Sequence, residues 1–172
     1  DDDNGQDSGS AYIYRFDGNQ WMEETKLLAS DGSYVDNFGH SVSISDETAI
    51  IGARQGGAYS AGSAYIFRFN GKTWIEETVL IAGDGSTLDE FSHSVSISGD
   101  IAVVGAGGDD DIGVNSGSAY IFRYFGSEWI RTKLHASDGA PYDTFGLTAA
   151  ISGNTAIVGS RSHDGVAPNA GA

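Results

Sequence analysis

The segment SAYIYRF at residues 10–16 returns as SAYIFRF at 63–69 and as SAYIFRY at 118–124. A tryptophan follows each copy, at Trp21, Trp74 and Trp129. Working outward, each unit continues with an Asp-Gly pair (Asp31-Gly32, Asp84-Gly85, Asp138-Gly139). A phenylalanine-led segment follows (FGHSVSIS at 38–45, FSHSVSIS at 91–98, FGLTAAIS at 145–152), then an apolar run ending in a small pair (TAIIGA at 48–53, IAVVGA at 101–106, TAIVGS at 155–160). Three copies of a unit of about fifty residues, each made of short β-like segments, carry the signature of propeller blades. Helical repeats of that length would show an apolar period of 3.6 residues, and none is visible.

Within the unit, four strands are expected. In SAYIFRF the side chains alternate, with Tyr65, Phe67 and Phe69 on one face and Ala64, Ile66 and Arg68 on the other. Asn70-Gly71, or Asp17-Gly18 in the first unit, accepts the positive φ of a tight hairpin. The charged strand that starts at the tryptophan (WMEETKL, WIEETVL, WIRTKL) reads as the outer edge, where glutamates discourage stray pairing. The phenylalanine-led strand sets Phe38, His40, Val42 and Ile44 against Gly39, Ser41, Ser43 and Ser45, a large/small division that fits a crowded inner strand. Gly99-Asp100 and Gly153-Asn154 form two-residue turns into the apolar strand, which lies between neighbouring sheets. Asp46-Glu47 at the first such turn suits the primed turns less well, so a local adjustment is expected there.

The expected organisation is a single all-β array over residues 1–172: a half-blade at 10–28, blades of four antiparallel strands at 38–80 and 91–134, and a half-blade at 145–160. About three repeats are too few to close a ring, since propellers have about four to eight blades. The chain therefore reads as a partial propeller or as a self-completing oligomer. In the latter, the C-terminal half-blade of one copy pairs with the N-terminal half-blade of another, giving a six-bladed ring or a head-to-tail filament.

Phe38-Gly39 and Phe145-Gly146, followed by Gly52-Ala53, Gly105-Ala106 and Gly159-Ser160, resemble the FG-GAP repeat of the integrin α-subunit propeller, and in particular its bacterial relatives with an SGSAY…W…DG…FG pattern. The resemblance spans essentially the whole chain. It implies four-stranded blades around an axis and an extracellular recognition or adhesion role. Departures are Phe91-Ser92 in the second unit, no proline after Gly-Ala, and one residue fewer after the third tryptophan. The integrin calcium loop, Asp-x-Asp-x-Asp-Gly between the inner strand and the Gly-Ala strand, is replaced here by the two-residue turn, so that site is not carried over.

Composition narrows the function. The sequence has 24 acidic and 9 basic residues, a formal charge of −15, 25 glycines, two prolines and no cysteine. Such a charge repels phosphate backbones and anionic lipid surfaces, so neither nucleic acid nor membrane insertion is expected. No apolar stretch approaches the roughly 20 residues of a membrane span. The start DDDNG, with neither Met nor leader, suggests a processed, secreted chain or a fragment.

Two acidic groups are candidates for Ca²⁺, a cation that takes about 6–8 oxygen ligands. One is Asp109, Asp110 and Asp111 in GGDDDIGVNSGS, with Asp1 and Asp3 in the equivalent DDDNGQDSGS. The other is the repeated pair Asp31/Asp36, Asp84/Asp89 and Asp138/Asp143. In both cases the alternative is structural: aspartates bonding nearby amides in turns. His40 and His93 have Leu147 as third counterpart and read as packed positions; His135 and His163 read as surface residues. Arg15, Arg68 and Arg123 recur and read as edge arginines, with Glu24 and Glu77 as cross-hairpin partners. No nucleophile elbow, zinc-protease helix or phosphate loop is present, so no enzyme is expected. Three functions follow as expectations: a non-catalytic extracellular recognition or adhesion module for a protein or glycan, a self-assembling structural subunit, and a fragment of a carboxylate-dependent sugar-active enzyme.

Overall fold

The computed structural model describes residues 2–57 and 60–162. Among them are twelve strands in four antiparallel sheets. β1 (Ala11–Phe16) and β2 (Trp21–Leu27) form a two-stranded sheet. β3 (Phe38–Ser45), β4 (Thr48–Ala53), β5 (Ser63–Phe69) and β6 (Trp74–Leu80) form a four-stranded sheet in chain order. β7 (Phe91–Ser98), β8 (Ile101–Ala106), β9 (Ser118–Tyr124) and β10 (Trp129–Leu134) repeat it. β11 (Phe145–Ser152) and β12 (Thr155–Ser160) make the last pair.

The cores lie between sheets. Ile51, Tyr65 and Phe67 of one sheet face pack with Ala11, Leu27 and Phe38, while Ile50, Ala64 and Ile66 of the opposite face pack with Val95, Ile97 and Tyr120 of the next sheet. β4 is consequently buried along its whole length, as its apolar sequence on both faces requires. Phe38 contacts Tyr65 and Phe67 edge-on at 5.2 and 6.1 Å, and Phe91 repeats this with Tyr120 and Phe122 at 5.3 and 6.1 Å.

At the inner strands the sheets approach to backbone contact. A Cβ placed on Gly105 would lie 1.8 Å from the Gly146 carbonyl oxygen, and one on Gly52 would lie 2.5 Å from that of Ser92. Those carbonyls are held by serine hydroxyls of the preceding sheet: Ser41 Oγ donates to Ser92 O at 2.7 Å and Ser94 Oγ to Gly146 O at 3.0 Å. Further along, the backbone N–H groups of Ile97 and Gly99 donate to Ser43 and Ser45, and those of Ile151 and Gly153 to Ser96 and Ser98. The small residues of the inner strand thus do more than fit a narrow space. They link β3 to β7 and β7 to β11 of the neighbouring sheets.

Two details differ from the plain alternation. Phe38 pairs with Ala53, yet the next pair is Ser41 with Gly52, so Gly39 and His40 bulge out of the ladder. Two extra residues leave the alternation in phase, and the serines keep their face. The adjustment expected at Asp46-Glu47 does not occur, because Asp46 takes φ 52°, close to the 57° of Gly99 and 55° of Gly153, and the hairpin keeps the same register.

Ser92 is a strained position of the inner strand. It occupies the place of Gly39 and Gly146 at φ 70°, is fully buried, and its hydroxyl has no hydrogen-bond partner. Left-handed backbone costs a residue with a Cβ about 1–2 kcal/mol relative to glycine. Ser92→Gly is expected to raise stability by about 1 kcal/mol, part of the gain being lost to the more flexible unfolded chain; urea denaturation of the two proteins measures it.

Candidate functional site

Each β2–β3, β6–β7 and β10–β11 connection shares one end of the sheets with the loop preceding β1, β5 or β9. Backbone bonds join them. Val35, Asn37 and Phe38 donate to Gln6, Asp7 and Ser8, and Tyr142, Thr144 and Phe145 repeat the pattern on Val114, Asn115 and Ser116. Gly9, Gly62 and Gly117 lie against the backbone of Phe38, Phe91 and Phe145, where a Cβ would come within 2.1, 1.9 and 2.1 Å of the carbonyl oxygen.

The repeated aspartates have separate roles within this end. Asp36, Asp89 and Asp143 are buried, and each carboxylate accepts the N–H three residues earlier, from Ser33, Ser86 and Ala140 at 2.7, 2.6 and 2.7 Å. They pin a tight turn. Burial pushes the carboxyls of Asp36 and Asp89 above the ordinary range, against the pull of those bonds. The residues flanking each aspartate are left-handed: Val35 and Asn37, Leu88 and Glu90, Tyr142 and Thr144, at φ between 55° and 75°. Tyr34, Leu88 and Tyr142 are held exposed on this rim. Asp31 and Asp84 instead reach the next sheet, accepting the hydroxyls of Tyr65 at 2.8 Å and Tyr120 at 3.1 Å. Burial, followed by Asp31 for Tyr65, keeps these phenols protonated and donating.

The acidic loop converges on a lysine. Lys133 Nζ binds Asp109 at 2.8 Å, Asp84 at 2.9 Å and Asp111, while Asp109 also accepts from Tyr120 and Ser118. Burial opposes the ammonium, but its bonds to Asp109 and Asp111 outweigh it and raise its pKa. Asp110 accepts the Asn115 N–H at 2.6 Å. The first loop repeats the plan with Lys26 on Asp3 and with Asp2 accepting from Asp7; Asp1 lies outside the described residues. In the middle unit the loop is shorter and Val79 stands where Lys26 and Lys133 do. Lys133 Nζ thus occupies the space between the three carboxylates. Among the described residues no group of three or more His, Cys, Asp or Glu side chains is arranged to hold a metal ion.

The remaining positions make contacts within and between sheets. His40 and His93 stack edge-on at 5.1 Å between sheets, and His93 Nδ1 lies 3.1 Å from Leu147 O. His135 is exposed, as expected of a surface residue, and its Nδ1 lies 3.2 Å from Ser118 Oγ, beside Asp111. His163 lies outside the described residues. Arg15 and Arg68 pair with Glu24 and Glu77. Both glutamates are the extra residue of a bulge, and each also accepts the tryptophan N–H of the next sheet, Trp74 at 3.1 Å and Trp129 at 3.0 Å. The residue missing from the third unit is this glutamate, so β10 pairs with β9 without a bulge.

Sequence comparison matches the FG-GAP repeat at residues 21–67, 74–122 and 130–172. The chain belongs to the FG-GAP repeat family. Each matched repeat begins on the outer strand of one sheet and runs into the next, so the sequence repeat and the sheet are out of phase. No curated protein matches the chain. Among the described residues, no helix is long and apolar enough to cross a membrane.

Lys133→Met would leave Asp84, Asp109 and Asp111 facing one another. A loss of about 2–4 kcal/mol is expected at pH 7, as for a pair broken on one side. The hydrogen bond of Lys133 holds the Asp84 carboxyl below its ordinary pKa despite burial. That contribution is present above the unfolded value near 4 and fades as pH falls through the depressed folded value. The gap between the two proteins should therefore narrow below about pH 4. Millimolar Ca²⁺ should recover part of the variant's melting temperature and leave the native chain unchanged, which thermal unfolding checks.

Proposed function

We propose that the chain is a non-catalytic recognition module of the cell exterior whose contact surface is the end of the sheets carrying Tyr34, Leu88 and Tyr142. One observation carries the reading: the same backbone strain recurs in all three loops, at Val35, Leu88 and Tyr142. Strain of this kind costs about 1–3 kcal/mol per residue and is retained where the surroundings over-determine it. Here Leu88 and Tyr142 are themselves exposed, so the strain holds apolar groups out of the core. Loops on a rigid scaffold are the usual place for binding residues.

The surface pairs exposed apolar groups with an acidic rim, to which Ile112 and Val114 of the acidic loop add. A protein patch or a neutral glycan, whose C–H faces stack on aromatic rings, suits this chemistry, and an anionic polymer does not. Turnover of a polysaccharide by the native chain would overturn the non-catalytic reading.

The experiment is a glycan and protein array probed with the native chain and with a Tyr34→Ser, Leu88→Gly, Tyr142→Gly variant. Glycine relieves the left-handed strain, so the variant should melt higher while binding falls at least about tenfold, the loss expected when anchor side chains are truncated. Unchanged binding by the variant would remove these loops from the contact surface.

A further inference from the structure

The inner-strand bulge brings a histidine to the same place in two neighbouring sheets. β3 pairs Phe38 with Ala53 and then Ser41 with Gly52, and β7 pairs Phe91 with Ala106 and then Ser94 with Gly105, so His40 and His93 are each the second bulged residue. The backbone fixes both positions: the N–H of His40 donates to Asn37 O at 3.1 Å and that of His93 to Glu90 O at 2.9 Å. Their rings meet edge-on, with centroids 5.1 Å apart and planes at 68°. The third bulge keeps the same backbone bond, from Leu147 to Thr144 O at 3.2 Å, but has no imidazole.

The protonation of the two rings follows from their neighbours. His93 Nδ1 lies 3.1 Å from Leu147 O. A carbonyl oxygen only accepts, so Nδ1 carries the proton and Nε2 keeps a bare lone pair. An imidazole tied in this way to a backbone carbonyl is the arrangement of histidine ligands to metal ions, where the bond orients the ring and raises its basicity. Burial, then Arg54 and His93, push the His40 pKa below its ordinary value against the pull of Glu90, so this ring is neutral at pH 7 as well. The Arg54 charge is itself paired with Glu90 at 3.5 Å.

We propose that His40 and His93 form a two-imidazole site for Zn²⁺ that joins β3 to β7, with water completing the coordination. The ring separation selects the metal. Zn–N bonds of about 2.0–2.1 Å in tetrahedral geometry put the centroids of two imidazoles on one ion about 5.2 Å apart. The square-planar angle of Cu²⁺ would bring them to about 4.5 Å. At 5.1 Å the pair already has the tetrahedral spacing. Two protein ligands are fewer than the three or four of catalytic and structural zinc sites, so the ion is held reversibly.

Titration calorimetry of the native chain with Zn²⁺ above about pH 7, where both imidazoles are neutral, should show one site per chain. His40→Leu and His93→Leu place in the first two bulges the residue that the third already carries. Each should keep the circular dichroism spectrum and weaken binding at least about tenfold. His135→Gln should leave the affinity unchanged. Millimolar Ca²⁺, which takes oxygen ligands, should not displace the zinc. The chain has four histidines, so the imidazole proton resonances give a reading that needs no variant: Zn²⁺ should shift those of His40 and His93 and leave those of His135 in place. A native chain that binds no Zn²⁺, affinity that survives either leucine substitution, displacement by Ca²⁺, or shifts at His135 without shifts at the pair would each overturn the proposal.

Discussion

Carbonyl oxygens of one inner strand sit against Gly52 and Gly105 of the preceding sheet, with no room for a side chain between them. This backbone approach sets the spacing of the sheets, and the other contacts are consistent with it. At that separation serine hydroxyls reach across to carbonyl and N–H groups of the neighbour, and the apolar faces of β4 and β8 close on both sides. A buried polar group left without a partner costs about 1–3 kcal/mol, so the serine links satisfy groups that the close approach removes from water. Ser92 departs from the pattern and retains both a left-handed backbone and an unsatisfied hydroxyl.

Farther from the axis the sheets diverge and longer side chains take over. There the inserted glutamate of each bulge joins an arginine of its own sheet to a tryptophan of the next, and the same arginines, Arg15 and Arg68, lie over Phe69 and Tyr124 at 5.2 and 5.1 Å. One added residue in a strand thus creates an inter-sheet link. β10 lacks the inserted residue, and Arg123 there lies over Phe125 at 5.8 Å.

The loop end concentrates the unusual backbone and most of the buried carboxylates. Negative charge at this end is handled in three ways: N–H groups bind Asp36, Asp89 and Asp143; tyrosine hydroxyls bind Asp31 and Asp84; and an ammonium binds Asp109. Tyr34, Leu88 and Tyr142 stay exposed among these acidic groups.

Local sequence determined the strands, because period-two alternation and Asp-Gly or Asn-Gly turns act over a few residues and need no partner to be legible. The outer, charged strand and the doubly buried Gly-Ala strand were readable for the same reason. Candidate-site chemistry was only partly so. The serines read as small residues and Glu24 as an arginine partner alone, because the groups that give them their roles lie in neighbouring sheets. One clue was present: lysine accompanies the long acidic loop in the first and last units, and valine accompanies the short loop in the middle one. That these aspartates surround a lysine was set only by tertiary structure, since loop conformation and sheet packing bring Lys133 between Asp84 and Asp109. The interaction falls off steeply enough with distance that a few ångströms decide it.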